Sequence, residues 1–173
     1  MLSSDTMHLI GQLFGGIAVL LGFISFQVSS SKKLLLVQIA TAAVFCIHYL
    51  LIGAFSACIL NVVGIVRNII YYHKDKKLFS GRYIPYLFGL IMLISGLLSW
   101  QGIFSLFLVS GQVINTVCLS LRDPQNIRKS ILVSSPLVLI YDVFALSIGG
   151  IIYESVVIIS SVIGLYRYHK DRN

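Results

Sequence analysis

Apolar residues run almost unbroken from about residue 8 to 28, and the pattern returns six more times, at about 34 to 52, 54 to 72, 83 to 99, 103 to 121, 131 to 147 and 150 to 168. A bilayer core about 30 Å thick takes roughly 20 mainly apolar residues per helical crossing, and each run comes near that length. The runs are continuous rather than alternating. Because a backbone in lipid must satisfy its own hydrogen bonds, the pattern predicts helices, not strands. The expected fold is all-α and transmembrane, with seven helices, short connections and a single membrane domain over residues 1–173.

Composition narrows the class further. With 57% apolar residues, 11% charged residues and a mean hydropathy of +0.93, the chain has too little polar surface to be solvated as a globule. The net charge of +7 would suggest a nucleic-acid partner if it were spread over a surface, but its placement points elsewhere. Lys32, Lys33, Lys74, Lys76, Lys77, Arg82, Arg122, Arg128, Lys129, Arg167, Lys170 and Arg172 all follow or end odd-numbered runs. The connections after the second, fourth and sixth runs hold none, so the positive-inside rule places the N-terminus outside and the C-terminus in the cytoplasm. Trp100 and Tyr153 then fall at the outer interface, and Tyr71, Tyr72, Tyr83, Tyr86, Tyr166 and Tyr168 at the inner one, as an aromatic belt. Nothing basic precedes the first run, and Asp5 does, so it is expected to stay as a helix and not to be cleaved as a signal. Cys46, Cys58 and Cys118 lie inside runs without metal-ligand spacing, and packing is the expected role.

Tyr-His-Lys-Asp occurs twice, at 72 to 75 and at 168 to 171. Sliding the chain by the 96 residues between them aligns 32 to 76 with 128 to 172 without a gap and matches, among others, Lys33 with Lys129, Ile52 with Ile148 and Gly53 with Gly149. The pattern predicts an internal repeat. Repeat one covers about 8–72 (helices 1–3), a linker helix about 83–99, repeat two about 103–168 (helices 5–7), and a cytoplasmic tail 169–173. Three crossings would invert a directly joined second copy, so the linker helix restores direction and the two repeats are expected to be parallel.

Pro124-Gln125-Asn126-Ile127-Arg128-Lys129-Ser130 resembles the PQ-loop signature, and the three-one-three layout looks like the SWEET and PQ-loop transporter architecture. In the first repeat the corresponding Phe26-Gln27-Val28-Ser29-Ser30-Ser31-Lys32-Lys33 lacks the proline. More closely, Ser25-Phe26-Gln27, His48-Tyr49-Leu50-Leu51-Ile52-Gly53-Ala54, and Asn61 followed six residues later by Arg67 resemble the YgjV family of bacterial inner-membrane proteins. That resemblance implies an inner-membrane location. The SWEET resemblance implies a site between the repeats, formed in that family by paired asparagines on helices 3 and 7. On the 96-residue register Asn61 faces Val157 and Asn68 faces Gly164.

An ionisable group at the centre of a spanning helix costs about 2.5 to 3.5 kcal/mol on insertion scales, so each one asks for a partner, water or a purpose. Asp142 and Glu154 flank the sixth connection at similar depth; so close to a helix end they either reach interfacial water or form an outer proton or cation site or a gate. His48 stands at the same level. Arg67 either snorkels to headgroups or supplies a counter-charge for an anionic substrate or a carboxylate. Asn61, Asn115 and Gln112, one turn from Asn115, either line a polar path or hydrogen-bond between helices. The substrate-binding candidates are therefore Asn61, Asn115, Gln112, His48 and Arg67. The glycines of the first and fourth runs, including Gly11, Gly15, Gly16 and Gly22, are expected to permit close helix packing. No nucleophile with a neighbouring base, phosphate loop or metal-ligand cluster stands out in the sequence, so no catalytic residue, metal or cofactor is expected. The expected partners are the lipid bilayer and an unknown small polar molecule, with no nucleic acid, and with a homo-oligomer left open. The expected function is a transporter or facilitator, the alternative being a non-transporting membrane scaffold or regulatory subunit.

Overall fold

The computed structural model describes residues 4–27, 31–74, 81–118 and 124–170. Lys76, Lys77, Arg122, Arg172 and the tail beyond Lys170 lie outside the described residues. Among the described residues there are seven helices and no strand: α1 (Ser4–Gln27), α2 (Ser31–Leu51), α3 (Phe55–Tyr72), α4 (Ile84–Leu98), α5 (Ser105–Cys118), α6 (Pro124–Phe144) and α7 (Ile148–Lys170). Within α1, α3 and α7 the stretches Asp5–Ile24, Phe55–Tyr72 and Ile148–Tyr166 are long and apolar enough to cross a membrane, and α2, α4 and α5 carry shorter apolar segments. α6 starts seven residues earlier than the apolar run at 131. Proline suits a first helical position, where its missing N–H costs nothing, so the polar stretch with Arg128 and Lys129 is wound into the helix.

The distribution of side chains in α3 is inverted relative to a soluble helix. Phe55, Ile59, Val62, Val66 and Ile69 form an exposed apolar stripe, while Ser56, Leu60, Gly64, Arg67 and Asn68 are buried. Helical spacing of three and four puts each set on one face. A polar interior and an apolar exterior fit a helix whose outer solvent is lipid.

α2 packs between α1 and α3, and α6 between α5 and α7. The two three-helix groups meet along α1 with α7 and α3 with α5, while α4 lies against α3 and α5. The α2–α3 and α6–α7 turns close in the same way. Ile52, Gly53 and Ala54 donate their N–H groups to the carbonyls of His48, Leu50 and Tyr49; Ala145, Leu146 and Ser147 donate theirs to Tyr141, Val143 and Asp142. Gly53 has φ 80° and Leu146 has φ 52°, the left-handed conformation that ends many helices.

Each turn is also clasped by a glutamine from elsewhere in the chain, Gln12 of α1 on the α6–α7 turn and Gln101 of the α4–α5 connection on the α2–α3 turn. Gln12 Nε2 donates to Leu146 O (2.7 Å) and its Oε1 accepts from Ile148 N–H (3.1 Å). Gln101 Nε2 donates to Gly53 O (2.9 Å) and its Oε1 accepts from Ser56 N–H (2.9 Å).

These turns are 93 residues apart, as Gly53 and Leu146 show, and not 96. The burial pattern keeps the same spacing: Thr41, Phe45, His48 and Tyr49 are buried in α2, and Ser134, Val138, Tyr141 and Asp142 in α6. The difference of three has a physical cause. Gly149 and Gly150 look like a turn in sequence but lie inside α7, where Gly149 meets the backbone of Gly15 and Gly150 lies beneath the Asp142 carboxylate. Leu146 takes the left-handed position instead.

Candidate functional site

Two polar regions lie inside this frame. The first is close to the α2–α3 and α6–α7 turns, here called the turn end. His48 is fully buried. Its Nδ1 lies 2.7 Å from Gly11 O and its Nε2 2.7 Å from Ser147 Oγ. A carbonyl can only accept, so Nδ1 carries the proton, and Nε2 can take the Ser147 hydroxyl. Ser147 Oγ accepts in turn from Gly150 N–H (3.1 Å). Beside this chain Tyr49 donates its hydroxyl to Asp142 Oδ1 (2.7 Å), whereas Asp142 Oδ2 is buried without a hydrogen-bond partner. Glu154, on α7, lies near enough to Asp142 for the two carboxyl groups to interact. Four helices, α1, α2, α6 and α7, are thereby held together, with the bonds from α2 reaching both groups.

The second region is a cavity of about 110 Å³ between the groups. α2 contributes Gln38, Thr41, Ala42 and Phe45, and α3 contributes Leu60, Asn61, Gly64, Arg67 and Asn68; α5 and α7 complete it with Gln112, Asn115 and Tyr153. Arg67 is only 5% exposed, so it does not snorkel to headgroups. Its Nε donates to Asn68 Oδ1 (3.1 Å) and its Nη1 to Thr116 Oγ1 on α5 (2.7 Å), while Tyr71 donates its hydroxyl to Thr116 O (3.3 Å). Asn61 donates to Ala57 O one turn back (2.9 Å). Gln38 Oε1 is buried and unpartnered.

Of the residues expected to bind substrate, Asn61, Asn115, Gln112 and Arg67 line this cavity together. His48 does not. It belongs to the turn-end network with Asp142, and Glu154 adjoins that network. Tyr153 is not at an interface: its ring lines the cavity, packs edge-on against Phe45 and lies on Gly22. Gly11 and Gly15 likewise allow close approach, to α2 and to His48 with α7, whereas nothing lies where a Gly16 side chain would project. Counted at the 93-residue spacing of the turns, Glu154 stands 93 residues after Asn61, and Ser161 stands 93 residues after Asn68 and is buried as Asn68 is.

Gln38, Thr41, Thr116, Tyr49, Ser147 and Gln12 were not singled out by sequence reasoning, and Asn68 only as the residue facing Gly164. Asn61, Gly64 and Asn68 lie three and four apart on one face of α3, as Gln38 and Thr41 do on α2. That spacing marked a polar face within an apolar helix. Ser147 could not be found this way, because its partner His48 is 99 positions away. The pair sets a serine hydroxyl against a histidine nitrogen, which the sequence did not show side by side. Both residues are fully buried.

Imp-YgjV, described as a bacterial inner membrane protein, is the family whose model matches this chain, over residues 9–172. No curated protein and no solved structure is matched.

Proposed function

This chain belongs to the Imp-YgjV family of bacterial inner membrane proteins, and we propose that it carries a small polar solute across that membrane through a site between two three-helix halves. The observation that carries the proposal is the cavity between the groups, into which α2, α3, α5 and α7 all turn polar side chains. Seven crossings in a parallel three-one-three arrangement, like that of SWEET and PQ-loop transporters, are part of this reading. Three features support it: the α1–α7 and α3–α5 junctions exchange under the same swap of groups, the turns share a hydrogen-bond pattern, and each is clasped by a glutamine. In such folds substrate binds at the repeat interface and access alternates as one half rocks against the other.

The basic end, with Lys32, Lys33, Lys74, Arg82, Arg128 and Lys129, faces the cytoplasm by the positive-inside rule, which puts the turn end outside. There the Gln12 clasp, the His48–Ser147 bond and the Tyr49–Asp142 bond cross between the halves. They act as the outer gate, closed in this structure. Asp142 and Glu154 are the carboxyl groups by which a proton or cation would work that gate. The protein is not an enzyme in this reading, because Ser147 and His48 are sealed from solvent and Ser147 Oγ is committed to Gly150 N–H.

Purified protein in liposomes is expected to take up a member of a panel of small polar metabolites. Gln112→Leu, which places an apolar side chain in the cavity, abolishes that uptake. Absence of uptake across the panel, together with recovery of a stoichiometric membrane partner, would instead favour a scaffold.

A further inference from the structure

We infer that the solute held in the cavity is a small carboxylate, bound by Arg67; the inference rests on the transport reading for its purpose but not for its test. Burying a guanidinium is costly unless something compensates its charge. Arg67 has none: among the described residues it makes no ion pair, and its hydrogen bonds go to the neutral Asn68 and Thr116. Among the described residues no acidic side chain lines the cavity. The carboxyl groups of Asp142 and Glu154, which could have neutralised Arg67, lie instead with the turn-end network.

Geometry agrees with the charge. Nε and Nη1 are the nitrogens that bond to protein, and Nη2 points toward Gly64, where an added Cβ would lie 3.9 Å from it. Because Gly64 has no side chain, the cavity reaches the guanidinium. A planar guanidinium offers N–H donors in a fork that matches a carboxylate, with charge-assisted bonds stronger than neutral ones.

The remaining wall suits the uncharged remainder of such a molecule. Gln38, Asn61, Gln112 and Asn115 present amides, and Phe45 and Leu60 an apolar patch. At about 110 Å³ the space is well below the roughly 300 Å³ where pockets for drug-sized ligands begin. It suits a carboxylate of a few carbons.

The experiment uses the full chain in detergent or nanodiscs, with thermal unfolding followed at constant ionic strength. Acetate and lactate are expected to raise the midpoint in a saturable way, since a ligand of the folded state stabilises by mass action. Acetamide, the neutral isostere of acetate, and chloride are not. Arg67→Gln weakens the apparent affinity for acetate by roughly tenfold or more, as expected for loss of a charged hydrogen-bond partner; Arg67→Lys retains the preference for acetate over acetamide at lower affinity. If Arg67→Gln does not fold, Asn115→Leu serves, because it fills the cavity from α5, keeps the cation and removes the acetate shift. Equal shifts with acetate and acetamide, or an acetate shift that survives Arg67→Gln and Asn115→Leu, overturn the inference. A parallel flux assay with labelled lactate separates the two readings. Binding without flux supports the carboxylate site and counts against transport. Flux of a neutral solute, with no carboxylate stabilisation, supports transport and overturns the site.

Discussion

The turn-end network and the cavity are both polar and both set between the helices, yet they use their polar groups in opposite ways. At the turn end most groups bond to each other: both nitrogens of His48 are used, Ser147 both gives and receives, and Gln12 uses both ends of its amide. In the cavity, Gln38, Gln112 and Asn115 face a void, and Arg67 keeps a nitrogen for it. Apart from Asp142 Oδ2 the turn end is a bonded network, and such a network holds structure, because losing any member strands its partner. An unsaturated wall stores affinity for something that is not protein. The contrast separates a fastening from a binding site without recourse to function.

Breaking the fastening is expected to have the largest effect. Gly149→Leu forces a side chain into the backbone of Gly15, where no rotamer can yield, and should cost about 3 kcal/mol or more; denaturant titration in detergent measures it. His48→Ala comes next. It removes two buried hydrogen bonds and leaves a void, for a loss of roughly 2 to 3 kcal/mol, while Gln112→Ala in the cavity wall costs less than about 1 kcal/mol. Comparable losses in the two variants would erase the distinction drawn above.

A subtler comparison concerns the two clasps. Gln12→Ala and Gln101→Ala each remove one amide that bridges a turn, and each is expected to lower stability by about 1 kcal/mol, with the double variant additive because the clasps share no partner. Unequal losses would mean that the two groups are less alike than their turns. The smallest effect is a gain. Leu146 is 66% exposed and occupies a left-handed conformation that costs an L-residue roughly 1 to 2 kcal/mol. Leu146→Gly should therefore stabilise by about 0.5 to 1 kcal/mol, after the entropic penalty of glycine, and a raised unfolding midpoint would check it.

Local pattern and tertiary structure part company at the α6–α7 turn. The two Tyr-His-Lys-Asp stretches set the repeat register at 96 residues, and the glycine pair at 149 and 150, which carries the composition of a turn, agreed with it. Glycine has two distinct uses, conformational freedom and absence of bulk, and nothing local tells them apart. Here the second use prevails, because α7 needs Gly149 to reach α1 and Gly150 to make room for Asp142. Counted at the 93-residue spacing of the turns, Asn61 corresponds to Glu154; counted at 96 it corresponds to Val157. Arg67 was left open between headgroups and interior for a similar reason, since depth along a helix can be read from sequence but the neighbouring surface cannot.

The order of apolar runs by itself determined that the chain is helical and suited to lipid, and the charges at alternate connections carried the expected direction of crossing. Both are local matters, set by the hydrophobic effect and by a backbone that must satisfy itself within each helix. Tertiary structure alone decided that His48 bonds Ser147, that Tyr49 bonds Asp142, and that Arg67 turns inward to face a cavity beside Asn61, Gln112 and Asn115. Those pairings join residues tens of positions apart across helix faces, and the rotation of each helix about its own axis is set by all of its neighbours at once.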